Sequence, residues 1–369
     1  MQAVSVPERD RAWPGADQSS QPASVEWVRR LGPYRDAQLG RGVFELAITV
    51  VPFVALWSLI AFGLARDFAP ALLLAIPAAG LLVRLFMIQH DCGHGSFFPN
   101  RRANDWVGRL IGVLTLTPYA YWRRTHAVHH ATSAHLGKRG TGDIGTMTVS
   151  EYLAATGWRR ACYRVLRNPL FLLGIAPFLL FVLKHRLPLD LLDGGKAVWF
   201  SVMGTNLAIA GAIFGMAWFV GLDQVLLVHL PILLLAASIG VWLFYVQHQF
   251  EETWWAGAGD WSFHDGALRG SSYLDLPAPL RWVTANIGIH HVHHLASRIP
   301  SYRLGEVLRD YPDLRRVGRI TLRQSLSCFR LALWDEERGQ LVSFREALAG
   351  RPAKSRWSAI AKPASAASG

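Results

Sequence analysis

Nine of the fourteen histidines fall in three short stretches: His90-Asp-Cys-Gly-His94, His126-Ala-Val-His129-His130 and His290-His291-Val-His293-His294. Imidazole has an unperturbed pKa of about 6.5 and is the commonest metal-ligating side chain. Residues i, i+3 and i+4 of a helix project from one face. Each stretch, read as a helix, can therefore turn its histidines toward a single point. His290, His293 and His294 form one such face; His291 lies between them on another and reads as a neighbour of the ligands or a surface residue. The eight imidazoles that remain, His90, His94, His126, His129, His130, His290, His293 and His294, are too many for one metal taking about four ligands. Two metal ions are the economical solution. Imidazole serves iron, zinc, copper and nickel, so the ligand type leaves the element open.

A ligating histidine needs an acceptor for its outer ring nitrogen. Asp91, Asp143, Glu251, Glu252 and Asn286 are near enough in sequence to serve, and each reads equally well as a solvated polar group. His248, in Gln247-His-Gln-Phe-Glu-Glu-Thr253, stands where an apolar run ends. Its position suits a further ligand or an ordinary interfacial histidine. His135 reads as a loop residue at the surface or behind the ligands, and His185, His229 and His264 as interfacial or loop residues. There is no His-Glu-x-x-His, the helix pattern of zinc proteases.

The elements that must position these clusters are membrane spans. Of the 369 residues 51% are hydrophobic and only 17% charged, against about 25% charged in soluble domains. Four runs reach the roughly 20 residues a span requires: 43–65, 71–89, 197–220 and 225–246. They make two hairpins, and the second run leads directly into His90. Residues 91–167 and 247–350 are polar, and the first block is rich in Arg. The positive-inside rule places the first block in the cytoplasm, and a site shared by all three clusters puts the second there with it. For all clusters to share one side, the apolar stretch 168–184, which contains Pro169 and Pro177, must be interfacial or re-entrant rather than a fifth crossing. Residues 106–121 read as one half-embedded helix, and 25–42 as a basic interfacial segment with Trp27 on its apolar side.

Residues 1–24 and 351–369 are Pro-, Ser- and Ala-rich and read as disordered tails flanking a 25–350 membrane domain. The N-terminal stretch lacks a signal-peptide pattern, so insertion is expected to rely on the internal runs. The net charge of +12 accompanies no nucleic-acid module; it fits topology and attraction to anionic headgroups, with no nucleic-acid partner. Three scattered cysteines suggest no disulfide framework. The fold class expected is an all-α integral membrane protein whose helical cap holds a two-metal site.

The stretches HDCGHGSFF (90–98), WRRTHAVHHATS (122–133), QHQFEETWW (247–255) and NIGIHHVHHLASRIPSYRL (286–304) resemble the membrane fatty acid desaturase family, in particular its acyl-lipid, Δ12/ω6-like bacterial branch. The resemblance runs from about residue 40 to about residue 310. It implies four membrane helices with a cytosolic cap holding two irons, and O2 as co-substrate. By position it makes His90, His94, His126, His129, His130, His290, His293 and His294 the histidine-box ligands and His248 an additional one. The first box here has three intervening residues where some branches have four, so the division of ligands between the irons does not carry over. The resemblance further implies a cis double bond placed in a lipid-linked acyl chain at a bacterial inner membrane. No His-Pro-Gly-Gly heme signature appears, so a separate ferredoxin-like or cytochrome-like electron donor is expected. A hydroxylase or acetylenase on the same scaffold would use the same ligands. A metal transporter is the rival from another class; it would need metal-binding residues inside the spans rather than at their ends.

Overall fold

The structure, a computed structural model, describes residues 24–140, 142–192 and 194–349. Except for Ser24, the expected tails at 1–24 and 351–369 lie outside the described residues. The chain opens with a short helix, α1 (Ser24–Leu31), and then the long α2 (Leu39–Leu64). α3 (Ala75–His94) continues a 3-10 turn that begins at Ala69. Two shorter helices follow, α4 (Arg101–Leu114) and α5 (Tyr119–Thr132). Further on come α6 (Lys196–Val220), α7 (Leu222–His248), α8 (His290–Leu295) and α9 (Ser301–Asp310).

Among the described residues, four helices are long and apolar enough to cross a membrane: Leu39–Leu64, Ala69–His94, Lys196–Val220 and Leu222–His248. They coincide with the four expected runs, but α3 and α7 extend past the expected ends. The extension carries His90, His94 and His248. The α6–α7 hairpin turns on Gly221 alone, whose φ of 88° suits a residue without Cβ.

α3 is the centre of the bundle. Of its most apolar window 67% is buried inside the protein, against 11% for α6. Small residues at Ala75, Ala78 and Ala79 let neighbouring backbones approach closely, while Leu82, Leu85 and Ile88 fill the space between helices. Phe62, Ile76, Phe200, Leu207, Phe214 and Phe219 face outward. Apolar surface of that extent is what lipid contact requires, and the protein is an integral membrane protein. Among the described residues, one Arg–carboxylate pair has both partners buried within the bundle, and its acid, Glu45, also meets the half-exposed Arg41. Arg84 on α3 meets Glu45 on α2, donates to Thr49 Oγ1 at 3.1 Å and bonds the Trp282 carbonyl. A charge at this depth must be paired, and here the pairing also clamps the helix Ala278–Val283 onto α3.

The segment 168–184 departs from regular helix. Pro177 has no N–H to give to the Leu173 carbonyl, and the chain widens into π-turns over Phe171–Ile175 and Leu179–Leu183. Ser238 on α7 donates to that freed carbonyl at 2.6 Å. The segment runs to Arg186 and is bent by 63° from the preceding helix Gly157–Leu166, as a broken span or a re-entrant loop would be. The stretch 106–121 is not one helix. It breaks at Thr115–Pro118, where Leu116 takes φ 52°, and so divides between α4 and α5.

The cap is mainly helical but also carries five short strands. Met147–Thr148 pairs in parallel with Leu333–Asp335, which pairs antiparallel with Gln340–Val342. Tyr273–Asp275 pairs in parallel with Arg319–Thr321. Trp27 is not at an interface with solvent or lipid: it is buried in the cap, edge-on to Tyr311 with centroids 5.7 Å apart.

The loop leading into α8 is tightly specified. Ala285 and Asn286 have φ of 46° and 58°, and the Gly288 carbonyl accepts from the Leu274 N–H at 2.8 Å. A Cβ on Gly288 would stand 2.5 Å from the Leu274 carbonyl oxygen. Gly288→Ala is therefore expected to lower stability by about 1–3 kcal/mol, in the range of other overpacking changes. Thermal unfolding of the full chain measures it, and an unchanged midpoint would contradict this account of the loop.

Candidate metal centre

The nine box histidines meet at the end of α3 and α7. α3 stops immediately after His94 because Gly95, at φ 68°, closes it with a left-handed cap. Its last turns are fixed from several sides. Tyr119 Oη donates to the Cys92 carbonyl at 2.7 Å, and Thr115 Oγ1 donates to Gln89 at 2.8 Å. α5 brings His126, His129 and His130; α7 delivers His248; the six-residue α8 brings His290, His293 and His294.

The side chains sort into two groups. His90, His94, His126, His130 and His293 can place one nitrogen each within 4.8 Å of one another, and so can His129, His248, His290 and His294. In the first group Nε2 contacts of 3.1 Å link His94 to His126, His126 to His130, and His130 to His293. In the second, His129 and His290 each stand 3.1 Å from His248, and His294 stands 3.0 Å from His290. Two nitrogens each about 2.1 Å from one cation stand about 3.0 Å apart at a right angle and about 3.4 Å apart at a tetrahedral one. The spacings match the edge of a metal-ligand polyhedron, and the donor sets of five and four fit two ions.

The expectation that each cluster converges on one point is corrected here. His126 and His130 serve one group and His129 the other; His293 serves one and His290 and His294 the other. Helical phase explains it. At about 100° per residue, i+4 lies roughly 40° from i and i+3 lies roughly 60° away on the opposite side. The i,i+4 pairs stay together and the i+3 residue turns to the second group.

The electrostatics hold the rings ready to ligate. Burial first, and neighbouring imidazoles second, hold His126, His130, His290, His293 and His294 well below the usual histidine pKa. They are neutral near pH 7 and keep their lone pairs. Several outer nitrogens are held by protein oxygens. His90 Nδ1 lies 3.2 Å from Asp91 Oδ1, and His248 Nδ1 lies 3.2 Å from the Gly270 carbonyl. His129 Nδ1 pairs with Asp143. Asp91 reaches further: its Oδ2 accepts from the Ser301 N–H at 2.7 Å, tying the first box to α9, which follows the third.

Other expected neighbours go elsewhere. The Asn286 amide donates to the Ser301 carbonyl at 3.0 Å, so it shapes the loop. His291 is fully buried and its Nε2 contacts the Leu314 carbonyl at 2.9 Å, which makes it part of the cap core rather than a surface residue. Glu251 and Glu252 line a cleft of about 630 Å³ in which none of the nine histidines takes part; burial raises the Glu252 carboxyl. His135 is also buried, against Trp261, and accepts from the Gly137 N–H. Trp122 went unassigned from sequence although it stands one turn before His126. Its ring stacks on His126 at 4.5 Å and approaches His90 at 5.7 Å. His94 and His126 are the two ring members that keep partial exposure, so the first group is the more open one.

A lipid-facing bundle that ends in two sets of imidazoles, each able to hold a metal ion, defines a membrane protein with a candidate two-metal site. The family model for fatty acid desaturases matches residues 66–323. The chain is 40% identical over 318 residues to a fatty acid desaturase of Bacillus subtilis (strain 168), covering 86% of this chain and 90% of that one. Two Synechocystis proteins are more distant. An sn-1 acyl-lipid omega-3 desaturase (ferredoxin) is 29% identical, covering 60% of this chain and 61% of its own. An sn-1 oleoyl-lipid 12-desaturase is 28% identical, covering 60% and 63%. The chain belongs to the fatty acid desaturase family and is an oxidoreductase of that kind.

Asp143→Asn is expected to weaken metal retention about 10–100-fold, the range for losing a carboxylate behind a ligating histidine; metal analysis after graded chelation reads it. The pH dependence has a definite sign. Histidines with depressed folded pKa values bind protons first in the unfolded chain, whose pKa is about 6.5. Their contribution to stability is full above about pH 6.5 and is lost progressively as pH falls below it. The unfolding temperature of the metal-stripped protein should drop over that window; a flat profile would contradict the neutral-ring assignment.

Proposed function

We propose that the protein is an oxygen-dependent acyl-lipid desaturase that introduces a cis double bond with a histidine-held di-iron centre. The observation that carries this reading is the division of nine imidazoles into sets of five and four, in a chain of this family. The reaction takes two hydrogens from adjacent methylenes; with O2, two electrons and two protons it yields the alkene and two waters. His90, His94, His126, His130 and His293 would hold one iron, and His129, His248, His290 and His294 the other. Bound irons would supply the activation of O2 needed to oxidise unactivated C–H bonds. The chain's own residues orient and enclose. Asp91 and Asp143 fix ring tautomers, Trp122 walls the more open side, and burial keeps bulk water from the ring.

Δ12/ω6-like regioselectivity draws support from the Synechocystis oleoyl-lipid 12-desaturase. A second Synechocystis relative is named for ferredoxin, which supports a separate ferredoxin-like donor over a cytochrome-like one. The Arg-rich blocks beside the spans support a bacterial inner membrane with the site on the cytoplasmic side. Glu45 is held by both Arg84 and Arg41 in the bundle, and this argues against a transporter, which needs a polar route through its spans.

Expression in a host that lacks the activity, with lipid mass spectrometry and double-bond mapping, tests the reading. Desaturation gives products about two mass units lighter, and a hydroxylase gives products about sixteen units heavier. His293→Ala should abolish the product while the protein remains in the membrane fraction. Full activity of that variant would remove His293 from the ligand set.

A further inference from the structure

Away from the histidines, the C-terminal part of the cap forms a cleft of about 530 Å³ at the foot of the bent apolar segment. Among the described residues, four arginines line it, Arg164, Arg167, Arg330 and Arg345, and no Asp or Glu does. Asn168 and Pro169 form the side from which Phe171–Arg186 departs.

Arg167 sits under this cleft in an unusual state. It is 4% exposed. Its Nε donates to Tyr163 Oη at 3.0 Å, and its Nη2 donates to Thr146 Oγ1 at 2.6 Å, the Ala332 carbonyl at 3.2 Å and Gln249 Oε1 at 3.3 Å. Every acceptor is neutral, and Nη1 is buried without a partner. A buried cation with no counter-charge is unfavourable unless something supplies one. Arg330 and Arg345 form no ion pair among the described residues. Glu346, the neighbouring acid, accepts from the N–H and hydroxyl of Ser343. Arg330 and Arg345 also border the 630 Å³ cleft, but Glu251, Glu252 and Glu346 line that one and disfavour an anion there. Like charges around a low-dielectric recess focus their field into it.

Apolar side chains accompany the arginines. Leu348, which lines the cleft, is exposed, and so are Val165, Leu166 and Leu170, which adjoin the lining residues Arg164, Arg167 and Pro169 in sequence. A soluble acidic partner would answer the charge and leave these side chains in water. Lipid answers both, with acyl chains against the leucines and a phosphate among the arginines.

We propose that this cleft binds the phosphodiester of an anionic glycerophospholipid. The site lies outside the metal ring, yet Arg167 reaches it through Gln249, the residue after His248. The assignment does not depend on the bound lipid being the acyl substrate.

The test is lipid retention by the full-length, metal-loaded protein, read by native mass spectrometry. The protein is first equilibrated in nanodiscs of phosphatidylglycerol or phosphatidylcholine. The wild type should retain phosphatidylglycerol preferentially. The Arg330→Gln/Arg345→Gln variant should lose about tenfold or more of that retention, given two lost contacts of this kind. Arg316→Gln/Arg323→Gln removes the same charge at exposed cap positions outside the cleft and should retain the lipid. Metal content and unfolding temperature should match in all three, since the four positions are exposed. Equal retention of the two lipids would overturn the proposal, as would an equal loss in both variants. So would occupancy by inorganic phosphate without preference for the anionic lipid. None of these readouts uses desaturation, so the lipid site and the proposed function fail separately.

Discussion

The structure depends on one constraint: nine imidazoles must be packed against one another where two spans end, with seven of them buried. Protonating one ring would desolvate a charge, and protonating two neighbours would place like charges about 3 Å apart in a medium where they are poorly screened. Burial and mutual repulsion hold His126, His130, His290, His293 and His294 neutral, and neutral rings are metal ligands. The same burial forbids loose geometry, because an imidazole that turns away loses the partner of a desolvated polar atom. The surroundings read as the answer to that requirement. Gly95 ends α3 one residue after His94, Tyr119 and Thr115 fix its last turns, and Asp91 joins the first box to the helix after the third.

Most of this was legible from side-chain types and spacing. The four spans follow from run length, and the three helical clusters from i, i+3, i+4 spacing. His248 stood out because it closes an apolar run. The division of ligands between two groups was also within reach of the sequence, since it follows from the angle between i+3 and i+4. Treating that pair as one face discarded the difference. Trp122 is a similar case: the i−4 relation to His126 was present, but an aromatic residue beside Arg123 and Arg124 reads as an interfacial anchor.

What sequence could not supply was tertiary. Asn286 lies one helical turn before His290 on paper, but the loop reverses at Ala285 and Asn286 and sends the amide to Ser301. His291 was set aside from the ligands by helical phase, yet only the packing of Leu314 and Tyr273 puts it in a core. The short strands pair residues far apart in the chain, such as Thr148 with Trp334, and runs of two or three residues leave no alternation to read. Pro177 announced a break in 168–184, but the consequence depended on Ser238, a residue on another helix.

The bundle uses its one buried ion pair in keeping with this division of labour. Glu45 and Arg84 lie on different spans, and the third partner is the Trp282 carbonyl, with the guanidinium 4.3 Å from the indole ring. Four residues after Arg84 comes Ile88 and two more reach His90; eight residues after Trp282 comes His290. The pair therefore fixes the supports of two ligand helices to a common point in the bundle. A charged pair in lipid-surrounded helices costs desolvation, and apolar packing alone would let α3 slide against the cap with little change in energy. Directional bonds to a backbone carbonyl do not allow that slide. The register of α3 against the loop before α8 decides whether His293 meets His90, whose ring centroid lies 4.5 Å away, and the ion pair sets that register.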